Sequence, residues 1–157
     1  MKTEKRRAFS LVELILIVAF IGIFAAIAVP RLNFAIISKQ KTENITRKVV
    51  TDLRLTRRLA ISDAANNTKG FELKMVGSVP YTSYEIENVD TKATVASHTL
   101  DPGVTITCPT GITFAFGPLG NLEAGSADEM EINISTEGIS FAITINSATG
   151  AVKCVEN

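Results

Sequence analysis

Apolar residues fill the chain from Phe9 to Val29 almost without interruption, only Ser10, Glu13 and Gly22 being neither large nor methyl-bearing. Wound as an α-helix at ~1.5 Å per residue, the run spans about 31 Å, close to the ~30 Å hydrocarbon thickness of a bilayer. Pro30 follows; lacking an N–H, it is expected to bend the helix rather than end it, and Gly22 is the second place where a bend is expected. Beyond Pro30 the pattern changes. Ile45, Val49, Leu53, Thr56, Ala60 and Ala64 recur at three- and four-residue spacing, giving one apolar stripe, with Lys39, Lys41, Lys48, Arg54, Arg57 and Arg58 largely off it. Asn66-Asn67-Thr68-Lys69-Gly70 then breaks the helix.

From Gly70 onward the period is two. Phe71, Leu73 and Met75 alternate with Glu72 and Lys74, and further strands are expected around Tyr81–Val89 and Ala93–Leu100. Asp101-Pro102-Gly103 turns into Val104–Cys108, with the apolar residues and the cysteine on one parity. Ile112, Phe114 and Phe116 alternate before a Gly117–Asn121 loop. Met130, Ile132 and Ile134 turn at Glu137-Gly138 into Ile139, Phe141, Ile143 and Ile145, and Val152 and Cys154 lie on a last short strand. Alternation with tight turns specifies antiparallel sheet with one face on a core, and the helix stripe supplies the second layer. The expected fold class is α+β, a long N-terminal helix packed on antiparallel sheets. Its parts are residues 1–8, a basic leader; 9–30, the membrane half of the helix; 31–66, its amphipathic half; and 70–157, a β-rich head.

Charge adds a layout that the net value of zero hides. Residues 31–63 hold eight bases against Glu43, Asp52 and Asp63, whereas residues 64–157 hold four bases against eleven acids. A basic rod joins an acidic head. Bases on both sides of the apolar run leave only a mild preference for a cytoplasmic N-terminus. Cys108 and Cys154 both fall in strand-like segments of the head. A disulfide between them would close a loop worth roughly 4 kcal/mol in the chain-entropy model and would need an oxidising compartment; two free thiols are the alternative. The head is therefore expected outside the cytoplasm.

One ionisable residue stands inside the apolar run. A charge at the bilayer centre costs roughly 2.5–3.5 kcal/mol, lowered but not removed for Glu13 near the edge. Three readings compete. The first is a signal peptide ending at Ala26-Ile27-Ala28, which would release a soluble β protein. The second is a plain anchor with Glu13 snorkelling to the interface. The third comes from the order of residues: Ala8-Phe9-Ser10-Leu11-Val12-Glu13-Leu14 resembles the type IV prepilin cleavage motif, with Ala8 where that family usually has glycine and Pro30 where it carries its helix-kinking proline. The resemblance implies cleavage between Ala8 and Phe9 by a prepilin peptidase, N-methylation of Phe9, and a role for Glu13 in subunit assembly.

In the head, Asp52–Ala64 is similar to the "leucine, alanine-arginine, small-acid-alanine" helix of the H-type minor pseudopilins of type II secretion and the FimT-like minor pilins. Ile112-Thr113-Phe114 with Gly117 and Gly120 is similar to that group's strand and loop, and Thr149-Gly150-Ala151-Val152 to its closing turn, with Ala151 replacing the usual arginine. The resemblance implies a single-pass inner-membrane subunit with its head in the periplasm. Its partners would be other pilin or pseudopilin subunits, an inner-membrane assembly platform and the lipid bilayer. The alternative within the group is a minor pilin that captures DNA for uptake. Phosphate contacts need clustered Lys and Arg, and the acidic head, with one base and one acid in residues 151–157, disfavours DNA.

Catalysis finds little support. His98 is the only histidine, no serine or cysteine sits in a nucleophile elbow, and one histidine with two cysteines 46 residues apart makes no zinc set. Asp128, Glu129 and Glu131 lack the alternating oxygen ligands of a calcium loop and read as a solvated acidic loop. The chain is expected to be neither an enzyme nor a holder of metal or cofactor.

Overall fold

The computed structural model describes residues 10–28, 34–123 and 128–156. The leader, the expected cleavage pair Ala8 and Phe9, and the expected bend at Pro30 lie outside those residues. The chain divides into two compact units, residues 1–34 and 35–157.

In the first unit, helix α1 covers Leu11–Ala28 and runs uninterrupted through Gly22. Ser10 starts it, its carbonyl accepting the Leu14 N–H at 3.1 Å. Its large apolar side chains are exposed on every side, Leu11, Leu16, Phe20, Phe24 and Ile27 among them. Nothing in the described residues covers them. At ~1.5 Å per residue its 18 residues measure about 27 Å. No helix among the described residues is long and apolar enough to cross a membrane; the expected span, 9–30, includes residues outside the description.

Helix α2 is Phe34–Ser62, and from Ala35 on it belongs to the second unit. Its buried face comprises Ser38, Thr42, Thr46, Val49, Val50, Asp52, Leu53, Thr56 and Ala60. The threonines are tolerated there because each satisfies its hydroxyl within the helix. Thr42 donates to Ser38 O at 2.8 Å, Thr46 to Thr42 O at 2.8 Å, and Thr56 to Asp52 O at 2.7 Å. Of the expected stripe, Val49, Leu53, Thr56 and Ala60 are buried and Ile45 packs against the core, whereas Ala64 lies beyond the helix end. The buried Asn67 makes the turn out of the helix. Its side-chain oxygen accepts from the Lys69 and Gly70 N–H groups, and its amide donates to Gly70 O. Gly70 has φ +74°, and a Cβ there would overlap the Phe116 carbonyl oxygen.

Eight strands follow: β1 (Phe71–Val76), β2 (Ser83–Asn88), β3 (Thr94–Thr99), β4 (Thr105–Thr107), β5 (Thr113–Phe116), β6 (Glu129–Thr136), β7 (Ile139–Asn146) and β8 (Val152–Glu156). They form two four-stranded antiparallel sheets, ordered β3-β2-β1-β5 and β4-β6-β7-β8. A bridge between Tyr81 and Ile106 joins them. The alternation expected from sequence sets the inner faces: Leu73, Tyr84, Ile86, Phe114 and Phe116 from one sheet, and Ile106, Ile132, Ile134, Ile143 and Ile145 from the other. They share one core with Val49, Leu53 and Ala60 of α2. Ile112, expected on the inner parity with Phe114, precedes β5 and is 45% exposed.

The disulfide expectation is corrected. Both cysteines are free. Cys108 directly follows β4, where Thr107 pairs with Asn133, so the same row continues through Ile132 and Ile143 to Cys154 on β8. The cysteines stand at opposite edges of the second sheet with two strands between them. Three inter-strand steps of ~4.8 Å place them about 14 Å apart, against the ~4.4–6.8 Å between Cα atoms that a disulfide spans.

Candidate functional site

Within α1, Glu13 is the only ionisable residue and lies in the first turn, where the helix dipole favours a carboxylate. Its side chain is exposed, as are those of the apolar residues flanking it. The described part of this unit thus presents a single acid on a helix that is apolar all round, an arrangement that water does not stabilise. Ala8 and Phe9, the other expected members of the site, lie outside the described residues.

In the second unit, the seam between α2 and the sheets carries two polar devices. Asp52 lies on the buried face of α2, at 8% exposure. Its Oδ2 accepts the Tyr84 hydroxyl at 2.7 Å, and His98 Nε2 lies 3.4 Å from the same oxygen. Tyr84 and His98 ring centroids are 5.3 Å apart. Helix α2, β2 and β3 are therefore tied at one carboxylate oxygen. Burial first, then the hydrogen bond to Asp52 and its charge, raise the Tyr84 hydroxyl well above the ordinary phenol range. Sequence reasoning noted His98 only as a lone histidine and placed Asp52 among the charges of the rod. The available signal was an acid immediately beside Leu53, at the margin of the apolar stripe.

The second device joins the three stretches that carry the head's resemblance. Arg57 of α2 donates through Nε to Gly120 O at 2.9 Å. Gly120 and Gly150 have φ of +77° and +64°, and a Cβ on Gly150 would overlap the Gly120 carbonyl oxygen and lie 3.0 Å from Arg57 Nε. Two backbones meet over one arginine, and only glycine at both positions allows the approach. Ala151, next to this turn, is exposed.

Toward the N-terminal end of α2, Ser38 donates to the Glu137 carboxylate, Lys39 pairs with Glu156, and Lys41 donates to Pro102 O. These contacts fasten the first turns of α2 to the β6–β7 turn, to β8 and to the loop before β4. Burial pushes the half-buried Cys108 thiol up to about 12, and the exposed Cys154 is also raised, by partial burial and by the charge of Glu43. Among the described residues, no group of three or more His, Cys, Asp or Glu side chains is placed to hold a metal ion.

No protein-family model matches the chain, and no curated protein matches it in sequence. Among solved structures, it is similar to two crystal forms of the type IV minor pilin FimU from Pseudomonas aeruginosa (strain PAO1). One is 14% identical with a TM-score of 0.57, the match covering 74% of this chain and 91% of that one. The other is also 14% identical, with a TM-score of 0.53, 72% of this chain and 90% of that one being covered. At that identity the likeness establishes architecture alone: the chain has the type IV pilin-like fold, an N-terminal helix packed on antiparallel sheets.

Proposed function

We propose that the chain is a minor pilin or pseudopilin, held in the inner membrane by its N-terminal helix and built into a filament with other subunits. The observation that carries the reading is α1: apolar on every side, uncovered, and bearing one carboxylate in its first turn, in a chain with a pilin-like fold. Such a helix needs either lipid or other helices around it. Prepilin peptidase would cut between Ala8 and Phe9, leaving an amine one helical turn before Glu13. A carboxylate in an apolar setting is tolerated when it finds a cation. In a filament the Phe9 amine of a neighbouring subunit serves, and the pairing fixes the axial offset between helices. The head lies in the periplasm, and the assembly platform is that of a type II secretion system or a type IV pilus.

The test is Glu13→Leu, with membrane abundance and co-purification of partner subunits measured together. Abundance should hold, because leucine suits lipid better than glutamate, and co-purification should fall sharply. Equal co-purification at equal abundance refutes the assembly role. Mass spectrometry of the extracted protein should find a methylated N-terminal Phe9; a mature chain beginning at Val29 would replace this reading with that of a secreted protein.

A further inference from the structure

The outward face of α2 is built differently from its inward one. Thr51, Arg54, Leu55, Arg58, Ile61 and Ser62 recur at three- and four-residue spacing and form a second stripe, opposite the buried Val49, Leu53, Thr56 and Ala60. Leu55 is 37% and Ile61 46% exposed, and both lie in shallow hollows walled by Arg54 and Arg58. Arg47 is neutralised by Glu43, and Arg57 is turned in toward Gly120. Among the described residues, Arg54 and Arg58 form no ion pair and no hydrogen bond with another side chain. Two uncompensated guanidinium groups one turn apart, framing leucine and isoleucine, make a face that is both cationic and apolar.

Charge complementarity identifies what fits it. The head of the same chain carries eleven acids against four bases. Several acids are already engaged: Glu72 and Glu87 with Lys92, Asp90 with Lys69, Glu156 with Lys39, and Glu137 with Ser38. Of the exposed head acids not so engaged, Asp101, Glu123, Asp128 and Glu129 have no basic partner among the described residues, and only Asp128 and Glu129 are adjacent, at the entry to β6. Arginine is the cation suited to protein interfaces, since its planar fork pairs carboxylates bidentately and is weakly hydrated. Leu55 and Ile61 have no use against phosphates, but they lose water against another protein surface.

We propose that this face of α2 docks the acidic head surface at Asp128 and Glu129 of a second copy of the chain. A basic patch and an acidic patch on different parts of one subunit allow a heterologous, head-to-tail contact, which repeats along a filament where its rotation does not close. The inference rests on the filament-subunit reading and names a surface that reading does not require.

The test uses full-length chain in zwitterionic detergent, with self-association followed by sedimentation velocity at low salt. Arg54→Glu with Arg58→Glu, and separately Asp128→Lys with Glu129→Lys, should each weaken self-association about tenfold, with the difference shrinking as salt shortens the Debye length from about 10 Å at 0.1 M. The two variants mixed should associate with each other at wild-type strength, since one native basic face then meets one native acidic face; misfolded chains would not. Absence of self-association in the wild type, unchanged association in either variant, or no recovery on mixing overturns the proposal. So does loss of duplex DNA binding in the arginine variant while self-association is untouched, which would make the face a nucleic-acid surface. Failure here leaves the filament reading standing if Glu13→Leu alone blocks co-purification, because that substitution does not touch α2.

Discussion

Removing the Tyr84 hydroxyl tests whether the seam between α2 and the first sheet depends on the buried Asp52. Tyr84 is 1% exposed, and its hydroxyl donates to Asp52 Oδ2 at 2.7 Å. In Tyr84→Phe the ring still fills its place, so little apolar contact is lost. Asp52 is left with His98 Nε2 at 3.4 Å, beyond a good hydrogen bond. A hydrogen bond to a charged group contributes about 1.5–3 kcal/mol, and its loss at a buried carboxylate belongs in the middle of that range, about 2 kcal/mol. For a unit of this size that is roughly 6–10 °C in Tm.

The pH dependence separates loss of the buried hydroxyl from a change in ring packing, since burial and the bond to Asp52 both hold its proton. The folded state holds the Tyr84 proton more tightly than the unfolded chain does, so the stability it provides is fully present below the ordinary tyrosine pKa of about 10 and declines as pH rises past it. The gap between wild type and Tyr84→Phe should be about 2 kcal/mol at pH 7 and about 1.4 kcal/mol smaller at pH 11. Urea titrations of both proteins at the two pH values measure it, and effects of other titrating groups cancel in the difference. A gap under about 0.5 kcal/mol at pH 7, or one that does not change by pH 11, refutes the reasoning.

The cysteines should behave as two independent thiols. Both should alkylate without prior reduction, Cys154 first. Burial of Cys108 holds its thiolate fraction at pH 8 about 10³-fold below that of an ordinary thiol, and recovery of a peptide joining Cys108 to Cys154 would contradict the sheet order. Gly150→Ala should cost more than Gly138→Ala, although both positions have positive φ. The left-handed backbone alone costs roughly 1–2 kcal/mol, and Gly138 has open space around it, whereas Gly150 meets the Gly120 carbonyl. Equal unfolding free energies for the two variants would show that the Arg57 clasp is loose.

Much of the fold was legible because period reports which face of an element is buried. The switch from three- and four-residue spacing to strict alternation at Gly70 located the change from helix to sheet. The buried side of β6 and β7 followed from Met130, Ile132, Ile134, Phe141, Ile143 and Ile145. The polar half of the α2 inner face was not legible. Thr42 and Thr46 are no part of the expected apolar stripe, yet they are buried because each hydroxyl bonds to the carbonyl one turn back, which a hydropathy pattern cannot register.

What joins one element to another was harder to read, for a geometrical reason. Alternation gives the parity of a residue within its strand, and parity correctly put Cys108 beside Val104 and Ile106 against the core. Strand order is a separate variable. With β6 and β7 lying between β4 and β8, two cysteines in one row of one sheet stand three strands apart. The same limit hid the Asp52–Tyr84–His98 contact, whose members come from a helix and two strands with no common spacing. The Arg57–Gly120–Gly150 clasp was not legible as a contact, because its members lie on a helix and two loops far apart in the chain. Each stretch was visible separately, and packing supplied the reason for them together: one arginine reaching a carbonyl between two glycines that leave it room.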